Sequence, residues 1–204
     1  MKGVVLRTER LLVRDLPPRA AGRVARFHRE NWDFHRRWEP HRHPRYFEAG
    51  SQRRIIAAER RSKEMLHLWL LLRGRQRRLP LIGSITLSSI VRGFFQSCYL
   101  GYKMDERYVR QGYMREALAA VLDYAFSTEG LHRVEANVMP ANRASRGLLE
   151  AIGFREEGVA RDYLRIQGRW EDHVHMVMLR NEWGPAASDG STRDGTRHEN
   201  AARG

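Results

Sequence analysis

The sequence predicts an α/β domain built on one mixed β-sheet with helices packed against it, and three observations carry that expectation. Leu66–Leu72, Leu79–Ile90 and Gln96–Met104 are three successive strand-like runs separated by basic or glycine-containing turns, the pattern of an antiparallel meander. Met114, Ala117, Leu118, Val121, Leu122 and Ala125 recur at three- and four-residue spacing, which puts all six on one helical face. Strand and helix patterns then alternate to the end, so strands must find helices to cover them.

In chain order, Leu6 to Leu16 closes on an alternating pattern and reads as one strand, which Pro17-Pro18 stop while opening a helix from about Arg19 to Asn31. A second helix, from about Gly50 to Lys63, places Ile55, Ile56 and Ala58 among arginines. The aromatic and basic loop before it, Trp38 to Phe47, is expected at the surface. After the meander and the amphipathic helix, His132 to Met139 alternates as a strand. Asn142 to Ile152 forms a helix with Asn142 as N-cap and Gly153 as its C-terminal stop. Phe154–Ile166 and Glu171–Leu179 flank the turn Gln167-Gly-Arg-Trp170 as a terminal hairpin. The predicted order is β-α-α-β-β-β-α-β-α-β-β. After Trp183 apolar residues almost vanish, so residues 1–183 are expected to form a single domain and residues 184–204 a disordered tail.

With 204 residues, 42% of them hydrophobic, the chain has room for one substantial core. The longest apolar stretch, Leu68–Leu72, is far short of the roughly 20 residues of a membrane-spanning helix. Charges interrupt Met1–Arg10, which excludes a secretory signal there and makes a cytoplasmic location the expectation. The single cysteine, Cys98, has no internal partner and reads as a small buried hydrophobe. The net charge is +13, and it lies wholly in residues 1–90, which hold 21 Lys+Arg against 8 Asp+Glu. Paired arginines recur at 36–37, 53–54, 60–61 and 77–78. Such a surface either suits a polyanion such as RNA or is simply solvated.

Two segments carry chemistry. Tyr108 to Leu118 runs from a strand through Gly112 into the amphipathic helix, which brings unpaired N–H groups and the positive end of a helix dipole to one place, as an anion such as a diphosphate requires. A glycine before a helix is also an ordinary turn. In Met139 to Phe154, Asn142 and Ser145 are three apart and share one side of a first helical turn, although a cap and a tolerated serine explain the same residues. His41/His43 and His173/His175 are the nearest approach to metal-ligand pairs, but neither has a third ligand at suitable spacing, so no metal is expected.

Taken together, Arg110-Gln-Gly-Tyr-Met114, Asn142-Arg-Ala-Ser145 and Gly153-Phe154 resemble the GNAT acetyltransferases. Trp38-Glu-Pro40, Val91-Arg-Gly93, Cys98-Tyr-Leu-Gly-Tyr102, Met139-Pro140, Asp162-Tyr-Leu164 and Trp170-Glu-Asp-His-Val174 resemble, within them, the ribosomal-protein alanine N-acetyltransferases of the RimJ type. The resemblance spans about residues 6 to 183. It implies acetyl-CoA as cosubstrate, bound by Met104 and by Val109, Arg110, Gln111, Gly112, Tyr113 and Met114, chiefly through the loop backbone. It implies further that Asn142 contacts the pantetheine arm and Ser145 the sulfur, with Ser145 as candidate acid. Glu39 and Asp162 are the candidate bases. Val109 and Met114 replace the Gln or Arg and the Gly or Ala that are frequent in the family. The acceptor implied is the N-terminal amine of a ribosomal protein, with ribosomal RNA or a ribosome precursor as a possible docking partner for the basic half. A small-molecule amine and a ribosome-assembly factor with secondary catalysis are the alternatives.

Overall fold

A computed structural model of the chain describes residues 3–76 and 78–184, so the expected tail, from residue 185 on, lies outside the described residues. Its strands are β1 (Val5–Arg7), β2 (Leu11–Arg14), β3 (Leu66–Leu72), β4 (Leu81–Val91), β5 (Ser97–Met104), β6 (Arg133–Val138), β7 (Arg155–Ile166) and β8 (Arg169–Leu179). They form one sheet in the order β1-β2-β3-β4-β5-β6-β8-β7. Every pairing is antiparallel except β5 with β6, so the expected meander and mixed sheet are both present. The helices are α1 (Ala21–Glu30), α2 (Trp32–His35), α3 (Ala49–Glu59), α4 (Tyr113–Asp123) and α5 (Arg143–Ile152).

Strand alternation sorts the apolar residues to two faces. Leu66, Leu68 and Leu70 of β3 pack in the cluster that includes Leu118 and Leu122 of α4. Trp69 and Leu71 of the same strand pack on Val24 and Phe27 of α1 and Ile56 of α3. All six residues of the predicted helical stripe are buried, Met114 at 8% exposure and the other five at 0%. Truncating one of the larger of them, Leu118 for example, costs about 2–5 kcal/mol. Cys98 is buried as read, and burial pushes its thiol up to about 12.

The first element differs from expectation. The pattern over Leu6–Leu16 predicts one strand, whereas the structure breaks it at Thr8–Arg10 into the hairpin β1–β2. The break is stabilised from elsewhere: Glu116 of α4 accepts from the Thr8 hydroxyl and, at 2.8 Å, from the Arg10 amide. The terminal hairpin turns where predicted, and positive φ at both Gln167 (45°) and Gly168 (88°) matches a two-residue turn of the type that follows strand twist. Among the described residues no helix is long and apolar enough to cross a membrane.

Candidate active site

Pairing of the parallel strands β5 and β6 runs only from Ser97–Arg133 to Tyr99–Glu135. Beyond it Leu100–Met104 and Ala136–Val138 diverge, and both segments line a cleft of about 1410 Å³. The splay leaves facing edges of two strands without each other's hydrogen bonds inside a partly apolar cleft, which suits an extended ligand that must reach backbone groups. The cleft passes through the sheet and has two chemically distinct ends.

At one end lies the loop before α4. Gly112 is the N-cap at φ 79° and makes no side-chain cap, so the first-turn N–H groups of α4 have no partner within the helix. Arg110 also has positive φ (59°), so the loop enters the left-handed region at two positions two residues apart. Met104, Val109, Arg110, Gly112, Tyr113 and Met114 line the cleft. Gln111 is in the loop, but its side chain turns back to donate to the Arg107 carbonyl at 2.9 Å, which leaves only its backbone to face a ligand. Arg110, Arg115 and Arg143 add positive charge around this end.

In the middle stands the N-terminus of α5. The Asn142 side-chain oxygen accepts from the Ser145 N–H at 3.2 Å, which makes it the predicted N-cap and leaves its amide NH2 for a ligand. The Ser145 hydroxyl lies 2.6 Å from that of Tyr102 on β5, and Tyr102 also donates to the Ser145 carbonyl at 3.2 Å. Burial drives the Tyr102 phenol up to about 12, with the Ser145 bond opposing, so the pair is protonated at neutral pH. Tyr102 was not among the expected site residues. Its signal is the alternation in Leu100-Gly-Tyr-Lys-Met104, which sets one hydroxyl on the strand face otherwise occupied by Leu100 and Met104.

The other end is built by α1, α2, the Trp38–Phe47 loop and β3–β5. Glu39, only 9% exposed, pairs with Lys103 Nζ at 2.6 Å and with Arg42 at 3.5 Å, and its carbonyl accepts from Gln167 in the β7–β8 turn at 2.8 Å. Both carboxylate oxygens therefore face cations. Burial lowers the Lys103 ammonium, with Glu39 opposing. The loop that was expected to be exposed is thus partly enclosed. Asp162, the other candidate base, does not line the cleft: it is exposed in a bulge of β7 at φ 47°, where its amide donates to the Asp172 carboxylate. Among the described residues no three His, Cys, Asp or Glu side chains are placed to hold a metal ion.

This end also sets a pH limit. His28, 5% exposed, pairs with the Tyr46 hydroxyl at 3.2 Å, and burial, together with Lys103, His67, His35 and Arg42 nearby, lowers it from 6.5 to about 2. A depressed folded-state value means that its contribution to stability is complete above pH 6.5 and is lost as pH falls below it, at up to about 1.4 kcal/mol per pH unit. Thermal melts from pH 8 to 5 are expected to be flat at first and then fall, more gently in His28→Gln, with His35 supplying the remaining slope. An identical slope in the variant contradicts this account.

A cleft through a splayed mixed sheet, with a glycine turn at a helix N-terminus on one side and a second, charged pocket on the other, suits an acyl-CoA-dependent acyltransferase. The chain belongs to the GNAT acetyltransferase family: the model of the acetyltransferase (GNAT) domain matches residues 10–155. It is an acetyl-CoA-dependent N-acetyltransferase. It is 38% identical over 183 residues to the [ribosomal protein uS5]-alanine N-acetyltransferase of Escherichia coli (strain K12), covering 89% of this chain and 94% of that one. The ribosomal-protein-S5-alanine acetyltransferase of Vibrio fischeri superposes with a TM-score of 0.79 at 28% identity, covering 90% of this chain and 100% of that one. Mycobacterium smegmatis RimJ in complex with CoA-disulfide superposes at 0.78 and 30% identity, covering 84% and 83% of the two chains.

Proposed function

We propose that the chain transfers the acetyl group of acetyl-CoA to the N-terminal amine, an alanine, of a ribosomal protein in the cytoplasm. The observation that carries this reading is the joining of the two ends of the cleft at Tyr102 and Ser145, combined with 38% identity over nearly all of a relative with that activity. The loop Val109–Met114 holds the diphosphate by backbone N–H groups, Asn142 meets the pantetheine arm, and Glu39 with Lys103 orients the incoming amine. The neutral amine attacks the acetyl carbonyl, the C–N bond forms, the C–S bond breaks, the thiolate takes a proton from the Ser145–Tyr102 pair, and the surplus proton on the new amide nitrogen passes back, directly or through water, to restore that pair.

The acceptor end argues against a polycationic amine, since Glu39 is paired with Lys103 and Arg42 and Glu59 with His67, leaving little negative charge to attract one. A peptide beginning with alanine is therefore expected to be acetylated and spermidine to be left unchanged. Intact-mass analysis of ribosomal proteins from cells with and without the gene is expected to show one protein shifted by one acetyl group. Turnover of spermidine in preference to the peptide overturns the reading.

Docking on ribosomal RNA is favoured by one further observation. Arg19, Arg26 and Arg29 at and along α1, and Arg53, Arg54 and Arg61 at and beyond α3, have no carboxylate partner among the described residues, and all six are exposed. Arg60, which the sequence groups with Arg61, is instead tied to the buried Asp15. The same mass experiment extends to this surface by comparing Arg53→Glu/Arg54→Glu on assembled particles and on free peptide. Loss confined to particles, and steeper with salt, is expected; equal effects on both mark the arginines as solvated surface.

A further inference from the structure

The β1–β2 turn is remote in sequence from the cofactor end, yet it supports that end from beneath. Arg10 contacts the segment at four successive points. Its Nη1 donates to the Gln111 carbonyl at 2.9 Å. Its Nη2 lies 3.2 Å from where a Cβ on Gly112 would stand. Its guanidinium carbon is 4.4 Å from the centre of the Tyr113 ring. Its Nε donates to Glu116 at 2.7 Å while its own amide donates to the same carboxylate at 2.8 Å.

The Arg10 side chain keeps 40% exposure, but Glu116 is only 17% exposed and all these contacts of Arg10 fall on one segment. Gly112 takes its φ of 79° without strain, but Arg110 at 59° is a non-glycine residue in the left-handed region, where a chain without support relaxes toward negative φ. The planar fork of arginine can bond a carbonyl and a carboxylate while stacking on a ring, and a lysine has no such geometry. Glu116 completes the arrangement. Burial raises its carboxyl, but the bonds from Thr8, the Arg10 amide and the Arg10 guanidinium hold it below the usual range, so it stays an anion beside Arg10.

We infer that Arg10 is a positioning residue for the cosubstrate, a clamp that fixes the Val109–Met114 backbone so that its N–H groups converge on the diphosphate. The inference rests on the reading of that loop as the diphosphate site. Arg10 acts through Gln111, Gly112 and Tyr113, and Glu116 fixes the angle of its fork. This ties an N-terminal hairpin, which the cleft does not otherwise need, to cosubstrate affinity.

The test uses two acetyl donors, acetyl-CoA and acetyl-pantetheine, which ends before the diphosphate. Arg10→Gln, Arg10→Lys and Glu116→Gln are expected each to lower the ratio of kcat/KM for acetyl-CoA to that for acetyl-pantetheine by about tenfold, as a displaced binding loop does. The double variant Arg10→Gln/Glu116→Gln is expected to be no worse than Arg10→Gln, since both remove one unit. Arg10→Lys keeps the charge and so separates loss of the fork from loss of the charge, with thermal melting as the check on folding. A ratio within twofold of the parent, or equal losses with both donors, overturns the clamp. Gly112→Val separates this from failure of the loop reading. If it leaves the ratio unchanged, the loop does not bind diphosphate and the inference falls with it. If it collapses the ratio while the Arg10 variants do not, the clamp alone is wrong.

Discussion

Gly112→Val is expected to raise the dissociation constant for coenzyme A by at least about 100-fold, near 2.7 kcal/mol, while the chain stays folded. The residue sits at φ 79°, where a β-branched side chain is strongly disfavoured, so the backbone must rotate away from the conformation that exposes its N–H groups. The new Cβ also meets Arg10 Nη2 at 3.2 Å, which pushes on the guanidinium under the loop. The folding cost is smaller in consequence than the binding cost. Gly112 is exposed and precedes a helix anchored by Ala117, Leu118, Val121 and Leu122, all at 0% exposure, so a penalty of about 1–3 kcal/mol falls within the 5–15 kcal/mol typical of a domain. Gly112→Ala, with strain of about 1–2 kcal/mol and no branch, is expected to fall between the parent and valine. Calorimetry with coenzyme A alone, free of any turnover, decides the matter: affinity within threefold of the parent means that the loop does not hold the diphosphate.

The parts of this molecule that were legible in the sequence are those governed by local periodicity. The α4 stripe, the meander from Leu66 to Met104, the Asn142 cap and the Gln167-Gly168 turn each follow from spacing or from one residue's conformational preference. What was not legible depends on contacts between distant residues. The split of Leu6–Leu16 into β1 and β2 is held by Glu116, more than 100 residues away, so no window around Thr8 contains its cause. Glu39, in the predicted loop, and Asp162, within the predicted strand Phe154–Ile166, were equal candidates as bases, but the fold places Glu39 between Lys103 and Arg42 inside the cleft and leaves Asp162 on an exposed bulge. The serine of α5 and the tyrosine of β5 become one unit only because β5 and β6 part after Tyr99 and let α5 approach Tyr102.

That unit leads to the second large effect. Ser145→Ala is expected to lower kcat by about 100-fold with the KM for acetyl-CoA changed by less than threefold, because proton delivery to the departing thiolate matters in the transition state and hardly in the ground state. The 2.6 Å contact between the two hydroxyls implies that Tyr102 orients and polarises the Ser145 O–H, so Tyr102→Phe is expected to reproduce most of the loss. If the two act as one unit, Ser145→Ala/Tyr102→Phe is no slower than the worse single variant; additive losses mean that each hydroxyl acts separately. The pH profile supplies an independent check. Burial places the Tyr102 phenol near 12, so its proton is retained through pH 10, and the alkaline limb of kcat below that pH does not belong to it. Tyr102→Phe should therefore reduce the height of the profile and leave its shape unchanged. Disappearance of an alkaline limb near pH 9 in that variant shows instead that the tyrosine itself ionises in the working range, and the shared-proton arrangement at Ser145 is then wrong.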